Sequence, residues 1–189
     1  MVTQREVRID MYMRLPCIVF LLLMDGGGAH ATPVCDTIIK AMLAVADQPG
    51  VRQRTLQGSA GAETVMTEAI SLREAMYVRE YGDGPWRTVP MTSARRRDLA
   101  ESALKQFPPS NCKGPTADTR HGVQVDRYTF TQTNPLSPGG TSTSEVWIGR
   151  ADGLPRRVVL GDDSYQTIEY GDYAVPSPLM QPRRRSAQP

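Results

Sequence analysis

The chain has 189 residues with 22 basic and 20 acidic side chains, a net charge of +2. That near-balance excludes the basic footprint of a nucleic-acid-binding protein. The length suits one domain with a sizeable core and is short for two.

The first segment with a signature is the apolar run Leu15 to Met24, followed by Asp25, Gly26-Gly27-Gly28 and Ala29-His30-Ala31. An apolar stretch of about ten residues ahead of alternating small side chains has the grammar of a secretory signal peptide. It is short for a membrane-spanning helix, which needs about 20 apolar residues. The glycine run argues against a short core helix. Residues 1–31 are therefore expected to be a leader, with the mature chain starting near Thr32 in a periplasmic or secreted location. Arg14 supplies the positive charge of such a leader if it starts at Met11 or Met13. No later apolar stretch is long enough to span a membrane, and no cysteine stands where a lipoprotein signal needs one.

Cys17 leaves with that leader, so Cys35 and Cys112 remain as an even pair in an oxidising compartment. A bond between them closes a loop of nearly 80 residues, worth roughly 4 kcal/mol in the chain-entropy model. The alternatives are a metal pair or redox chemistry. Against both, there is no CxxC, and His121 is the one histidine beyond the leader.

Thr32 caps, and Pro33 opens, a first helix. Val34, Ile38, Met42 and Val45 form its apolar stripe, and Pro49-Gly50 ends the segment. A pocket-lining helix and an ordinary core helix give the same stripe. Strand-like runs follow at Val51–Gln57, Glu63–Leu72, Ala75–Tyr81 and Trp86–Val89, with Asp83-Gly84 as a hairpin turn between the last two. Thr92-Ser93 caps a second helix running to Gln106, with Leu99, Ala103, Leu104 and Phe107 on its inner side. Arg95-Arg96-Arg97 near its start reads as a solvated face, or else as a surface for an anionic partner. Residues 110–120 read as a loop tied down by Cys112. Further strands are expected at Val123–Thr133, Ser144–Gly149, Arg156–Leu160 and Tyr165–Tyr170, with turns at Asn134–Gly140 and Asp152-Gly153. Residues 177–189, with Arg183-Arg184-Arg185, form a basic tail expected to be disordered. Residues 32–176 thus make one α+β domain on a large antiparallel sheet.

Side chains alternate along a strand, which sets Val123 and Val125 opposite Tyr128 and Phe130. It likewise sets Val146 and Ile148 opposite Trp147, and Val158 and Leu160 opposite Val159. Apolar residues on both faces imply a curling sheet with helices on its concave side and cover elsewhere. The other account is a bulge that swaps facing midway along a strand.

No residue pattern carries catalysis. His121 would have to serve any Ser-His-Asp or Cys-His site, and it sits in a loop before a strand. There is no HExxH, no second histidine for a metal and no P-loop. Asp162-Asp163 reads as a solvated turn. No cofactor and no metal are expected.

Val146-Trp147-Ile148, Gly153-Leu154-Pro155-Arg156-Arg157-Val158, Thr167-Ile168-Glu169-Tyr170 and Tyr173-Ala174-Val175-Pro176 together resemble the LolA-like superfamily. That group holds periplasmic lipoprotein carriers and mycobacterial surface lipoproteins that bind acyl chains. The helix-first layout and the strand, Asp-Gly turn and Trp strand of residues 76–89 are similar too. The resemblance implies a half-barrel: a curved antiparallel sheet, helices on the concave side, and an apolar cavity for a lipid or acyl chain. Met76, Val78, Tyr128, Phe130 and Trp147 are candidate lining residues, taken as apolar strand positions and matched to no motif. The carriers have a Phe-x-Gln element in their first strand where this chain reads Val51-Arg52-Gln53-Arg54. The two arginines suit an anionic headgroup, or face water. The second reading is a periplasmic or envelope protein-interaction or sensor module, its concavity filled by its own side chains.

Overall fold

A computed structural model of the chain describes residues 32–59, 61–133, 140–161 and 163–177. The leader at 1–31, the turn at 134–139, Asp162 and the tail beyond 177 lie outside the described residues.

Capping threonines start both helices. Helix α1 (Pro33–Ala44) follows Thr32, whose hydroxyl accepts from the Cys35 N–H at 3.4 Å. Helix α2 (Ser93–Gln106) follows Thr92, whose hydroxyl accepts from the Arg95 N–H at 3.2 Å. Thr32→Ala should cost about 1 kcal/mol, read as a lowered urea midpoint with unchanged slope.

Among the described residues nine strands form one antiparallel sheet: β1 (Val51–Gln57), β2 (Thr64–Ser71), β3 (Ala75–Glu80), β4 (Arg87–Pro90), β5 (Ser110–Arg120), β6 (Val123–Thr133), β7 (Thr141–Gly149), β8 (Pro155–Gly161) and β9 (Ser164–Tyr170). Their order is β4-β3-β2-β1-β9-β8-β7-β6-β5. The sheet is thus two meanders, β1–β4 and β5–β9, sewn together where β1 pairs with β9. Close backbone approach finishes that seam. A Cβ on Gly50 would lie 2.1 Å from the Gly171 carbonyl oxygen, so only glycine fits there.

Strands β4 and β5 are the two edges, and α2 runs between them in the chain. Nine strands laid flat would put those edges ~38 Å apart, at ~4.8 Å per step. Fourteen helical residues span only ~21 Å. Curling the sheet relieves that stretch, and the result is an open, curved α+β half-barrel with both helices on one face.

Residues paired directly across antiparallel strands share a face, so the pairings assign both sides. Tyr128 pairs with Val146 and Phe130 with Ser144. Under α1, Tyr128, Phe130 and Val146 join Ile38, Ala41 and Ile148 in the buried core, with Val158 packed against it. Trp147 pairs with Arg127 and Arg157 on the convex side. Register in β6 is continuous from Val125 to Thr133, so its apolar residues on both faces reflect true alternation and not a bulge.

The convex face is closed by charge as well as by Trp147. Glu68 on β2 is 1% exposed. It accepts from Nε of Arg52 on β1 at 2.5 Å and from Nε of Arg79 on β3 at 2.6 Å. Arg79 also lies over the Trp86 ring, 4.7 Å from its centroid.

Three sequence expectations need correction. Residues 110–120 are strand β5 and not a loop. An edge strand tolerates Pro115 because one row of its backbone groups has no neighbour to serve, and two register shifts absorb the irregular stretch from Ser110 to Thr116. The turn after β3 is wider than a two-residue Asp-Gly hairpin: positive φ falls on Tyr81 and Gly82, while Gly84 lets the chain pass the Glu80 carbonyl. Helix α2 buries no residue, and Leu99 is 43% exposed. Arg96 and Ala100, and not the expected Leu99, Ala103, Leu104 and Phe107, are the residues of this segment that line the concave cavity.

Candidate ligand-binding site

Between the helices and the concave face lies a cavity of about 330 Å³. Met42 of α1, Val45 and Ala46 just past its end, and Ala100 of α2 line its helical side; Val51, Phe130, Val158 and Ile168 line the sheet side. Each comes from a strand position whose neighbours along the chain point the other way. The polar lining is neutral apart from Arg96: Gln53, Ser71, Gln132, Ser144 and Gln166, with the Gln53 amide donating to Gln166 at 3.4 Å. No His, Asp, Glu or Cys is among the lining residues. Leu160, also on the wall, is 47% exposed, so an apolar edge of the cavity reaches the surface.

Arg96 decides how α2 sits over this space. Its guanidinium donates to the backbone carbonyls of Ala46 and Gln48 at 3.4 Å each, to the Leu72 carbonyl, and to the Ser93 hydroxyl at 3.1 Å. Burial holds its pKa below the ordinary arginine value. Neighbouring Arg97 instead pairs with Asp47 and Glu101, and Arg95 is exposed. The three arginines are therefore not one basic surface. One clamps the helix to two turns, one bridges acids, and one faces water.

Of the five candidate lining residues, the structure places only Phe130 on this cavity. Tyr128 shares its face but lies beneath α1, 7% exposed, where burial raises its phenol pKa. Met76 and Val78 pair with Ser71 and Ala69, which sets them on the concave side near the β4 edge, away from the lining. Trp147 lies on the convex face. There its indole N–H donates to Asp118 at 2.9 Å, and Arg120 and Arg157 stack on the ring at 5.2 and 5.4 Å. Met42, Val45 and Val158 do line the cavity; their stripes are visible in the sequence without distinguishing wall from core. Arg96 had no such signal, since inward and outward arginines in a run look alike.

Cys35 and Cys112 form a disulfide with a Cα–Cα distance of 5.3 Å, tying α1 to edge strand β5. Disulfides of this kind belong to oxidising compartments. No helix among the described residues is long and apolar enough to cross a membrane. No group of three or more metal-ligating side chains occurs among them either.

These features define a class: an open half-barrel with a partly apolar cavity under two helices. Solved structures similar to the chain include LprF from Mycobacterium bovis, at 12% identity and a TM-score of 0.48, covering 77% of this chain and 96% of that one. The Mycobacterium tuberculosis lipoprotein LppX follows at 13% identity and a TM-score of 0.43, covering 72% and 93%. MucB in complex with MucA(peri) is similar at 14% identity and a TM-score of 0.38, covering 74% and 57%. Comparison with protein-family models and with curated proteins found no match. The half-barrel rests on the strand pairing above and not on these likenesses.

Proposed function

We propose that this protein is an extracytoplasmic, non-catalytic carrier or receptor that holds a single acyl chain in the concave cavity. On this reading residues 1–31 are removed on export, residues 32–176 are the binding domain and residues 177–189 are a solubilising tail. The observation that carries it is the cavity itself. About 330 Å³ walled largely by aliphatic side chains is at the small end of the range of ligand pockets.

Size sets the ligand class. At ~30 Å³ per occupant of water or methylene size, the space takes on the order of ten methylenes. That suits one chain of medium length and excludes the full tails of a two-chain lipid. Each methylene removed from water contributes about 0.8 kcal/mol, roughly a fourfold gain in affinity.

Affinity for saturated fatty acids is therefore expected to rise about fourfold per added carbon and to level off near ten carbons. Calorimetry on the exported, detergent-free protein reads this directly. Ala100→Trp should abolish the binding, because the new ring points from α2 into the cavity, and a helix that buries nothing tolerates it. Binding without chain-length dependence, or unchanged in Ala100→Trp, would place the ligand elsewhere. No uptake at all would leave the fold as an interaction module.

A further inference from the structure

We infer a second, independent site on the convex face: a cleft that binds a phosphate group. The cleft measures about 480 Å³ and is built from β1, the β5–β6 hairpin, β8 and β9. Arg54, Arg120, Arg156 and Arg157 line it, against Glu169 as the one lining carboxylate. Such an excess of one sign on a concave wall concentrates counter-ions.

A strand irregularity makes this possible. Trp147 pairs with Arg157 while the next residue, Ile148, pairs with Pro155, so Arg156 is an extra residue in β8. Pro155 and Val158 line the concave cavity, yet both arginines between them line the convex cleft. Strict alternation would send Arg156 to the apolar side. Bulges of this kind re-aim side chains and recur beside functional sites.

The arginines differ in how they are compensated. Arg54 pairs with Glu169, Arg120 with Asp118 and Arg156 with Asp152. Arg157 has no carboxylate within 4.0 Å among the described residues. It lies 3.7 Å from the centroid of Tyr165 and 5.4 Å from that of Trp147, so stacking holds its plane, and Glu63 meets its charge only from beyond salt-bridge distance. The Nε atoms of Arg54, Arg156 and Arg157 are buried without an acceptor. Compensation of those charges therefore falls to the terminal nitrogens. A guanidinium held flat by rings presents a rigid fork that fits the oxygens of phosphate in pairs. Three carboxylates against four arginines leave one positive charge over, at Arg157, to meet an incoming anion.

The phosphate could belong to a soluble phosphomonoester or to a lipid headgroup, and two probes separate them. The exported, disulfide-bonded protein is titrated calorimetrically with glycerol 3-phosphate, and with phosphatidylcholine vesicles with and without phosphatidic acid. Saturable, salt-sensitive binding is expected. Response to the soluble ester identifies a free phosphomonoester site; response only to vesicles with phosphatidic acid identifies a headgroup site. Arg157→Gln should weaken binding roughly 10- to 100-fold, the loss of a charged hydrogen-bonding group, and Arg157→Lys less. Decanoate uptake by the opposite face should persist in both, so either site can fail without the other. No saturable response to any probe, or equal affinity in Arg157→Gln, overturns the assignment. If Arg157→Gln does not fold, Arg54→Gln gives the same decision.

Discussion

Glu68→Ala is expected to destabilise the domain by about 3 kcal/mol, the low end of the range for breaking a buried ion pair. The carboxylate is enclosed between Arg52 and Arg79, its acceptor oxygens each taken by one guanidinium. Removing it leaves two cations, on β1 and β3, facing each other across β2. The cost stays near the low end because the arginine side chains are 32% and 22% exposed and regain some water. For a domain of this size the shift in Tm is on the order of 10 °C.

The same residue gives a pH signature. Burial pushes the Glu68 carboxyl up, but hydrogen bonds and charge from Arg79 and Arg52 outweigh it and leave the group below its ordinary value. A carboxyl held low in the folded state binds its proton later than in the unfolded chain as pH falls. Its contribution is therefore complete above the ordinary glutamate range and lost as pH drops through the lower folded value. Glu68→Gln removes that titration, so the variant's stability should fall less steeply between neutral and acid pH. Parallel profiles for variant and wild type would assign the acid sensitivity to other carboxylates.

Loss of the disulfide is the second large effect. Cys35 and Cys112 are 77 positions apart, and freeing that loop in the unfolded chain costs about 4.5 kcal/mol of stability by the entropy model. The bond also fastens α1 to β5, an edge strand that otherwise presents unpaired backbone groups. The Cys35→Ser, Cys112→Ser double variant should lose roughly 4 kcal/mol in urea unfolding. Reductant should shift the wild type toward the variant and leave the variant unchanged. An unaltered urea midpoint would mean that the unfolded chain is already compact enough for the link not to matter.

Local rules made most of the elements readable. Thr32-Pro33 and Thr92-Ser93 are helix starts in any context, because a capping hydroxyl needs only the first turn of its own helix. Alternation in Val123–Phe130 and in Val146–Ile148 announced two apolar faces, which the pairings of β6 and β7 bear out. Strand β5 escaped because its evidence is pairing, not pattern. Gly114 and Pro115 look like loop residues until β6 lies alongside.

The candidate site was less readable for a different reason. Tyr128, Phe130 and Trp147 are equally apolar strand residues, and their roles separate only by which face and which neighbour they meet. Phe130 reaches the cavity, Tyr128 stops under α1 and Trp147 points out among arginines. The β8 bulge turns Arg156 with Arg157 to one side, a register event that depends on β7.

By itself the sequence determined the α+β class, the antiparallel meanders, the helix starts and the even cysteine pair, since each follows from contacts within a few residues or from simple arithmetic. Only the tertiary structure decided which apolar residues line a cavity, which arginine clamps α2 and where the convex arginines converge. Those outcomes depend on strand order, register and curvature. They arise from pairings between residues far apart in the chain, such as β1 with β9, that no local pattern encodes.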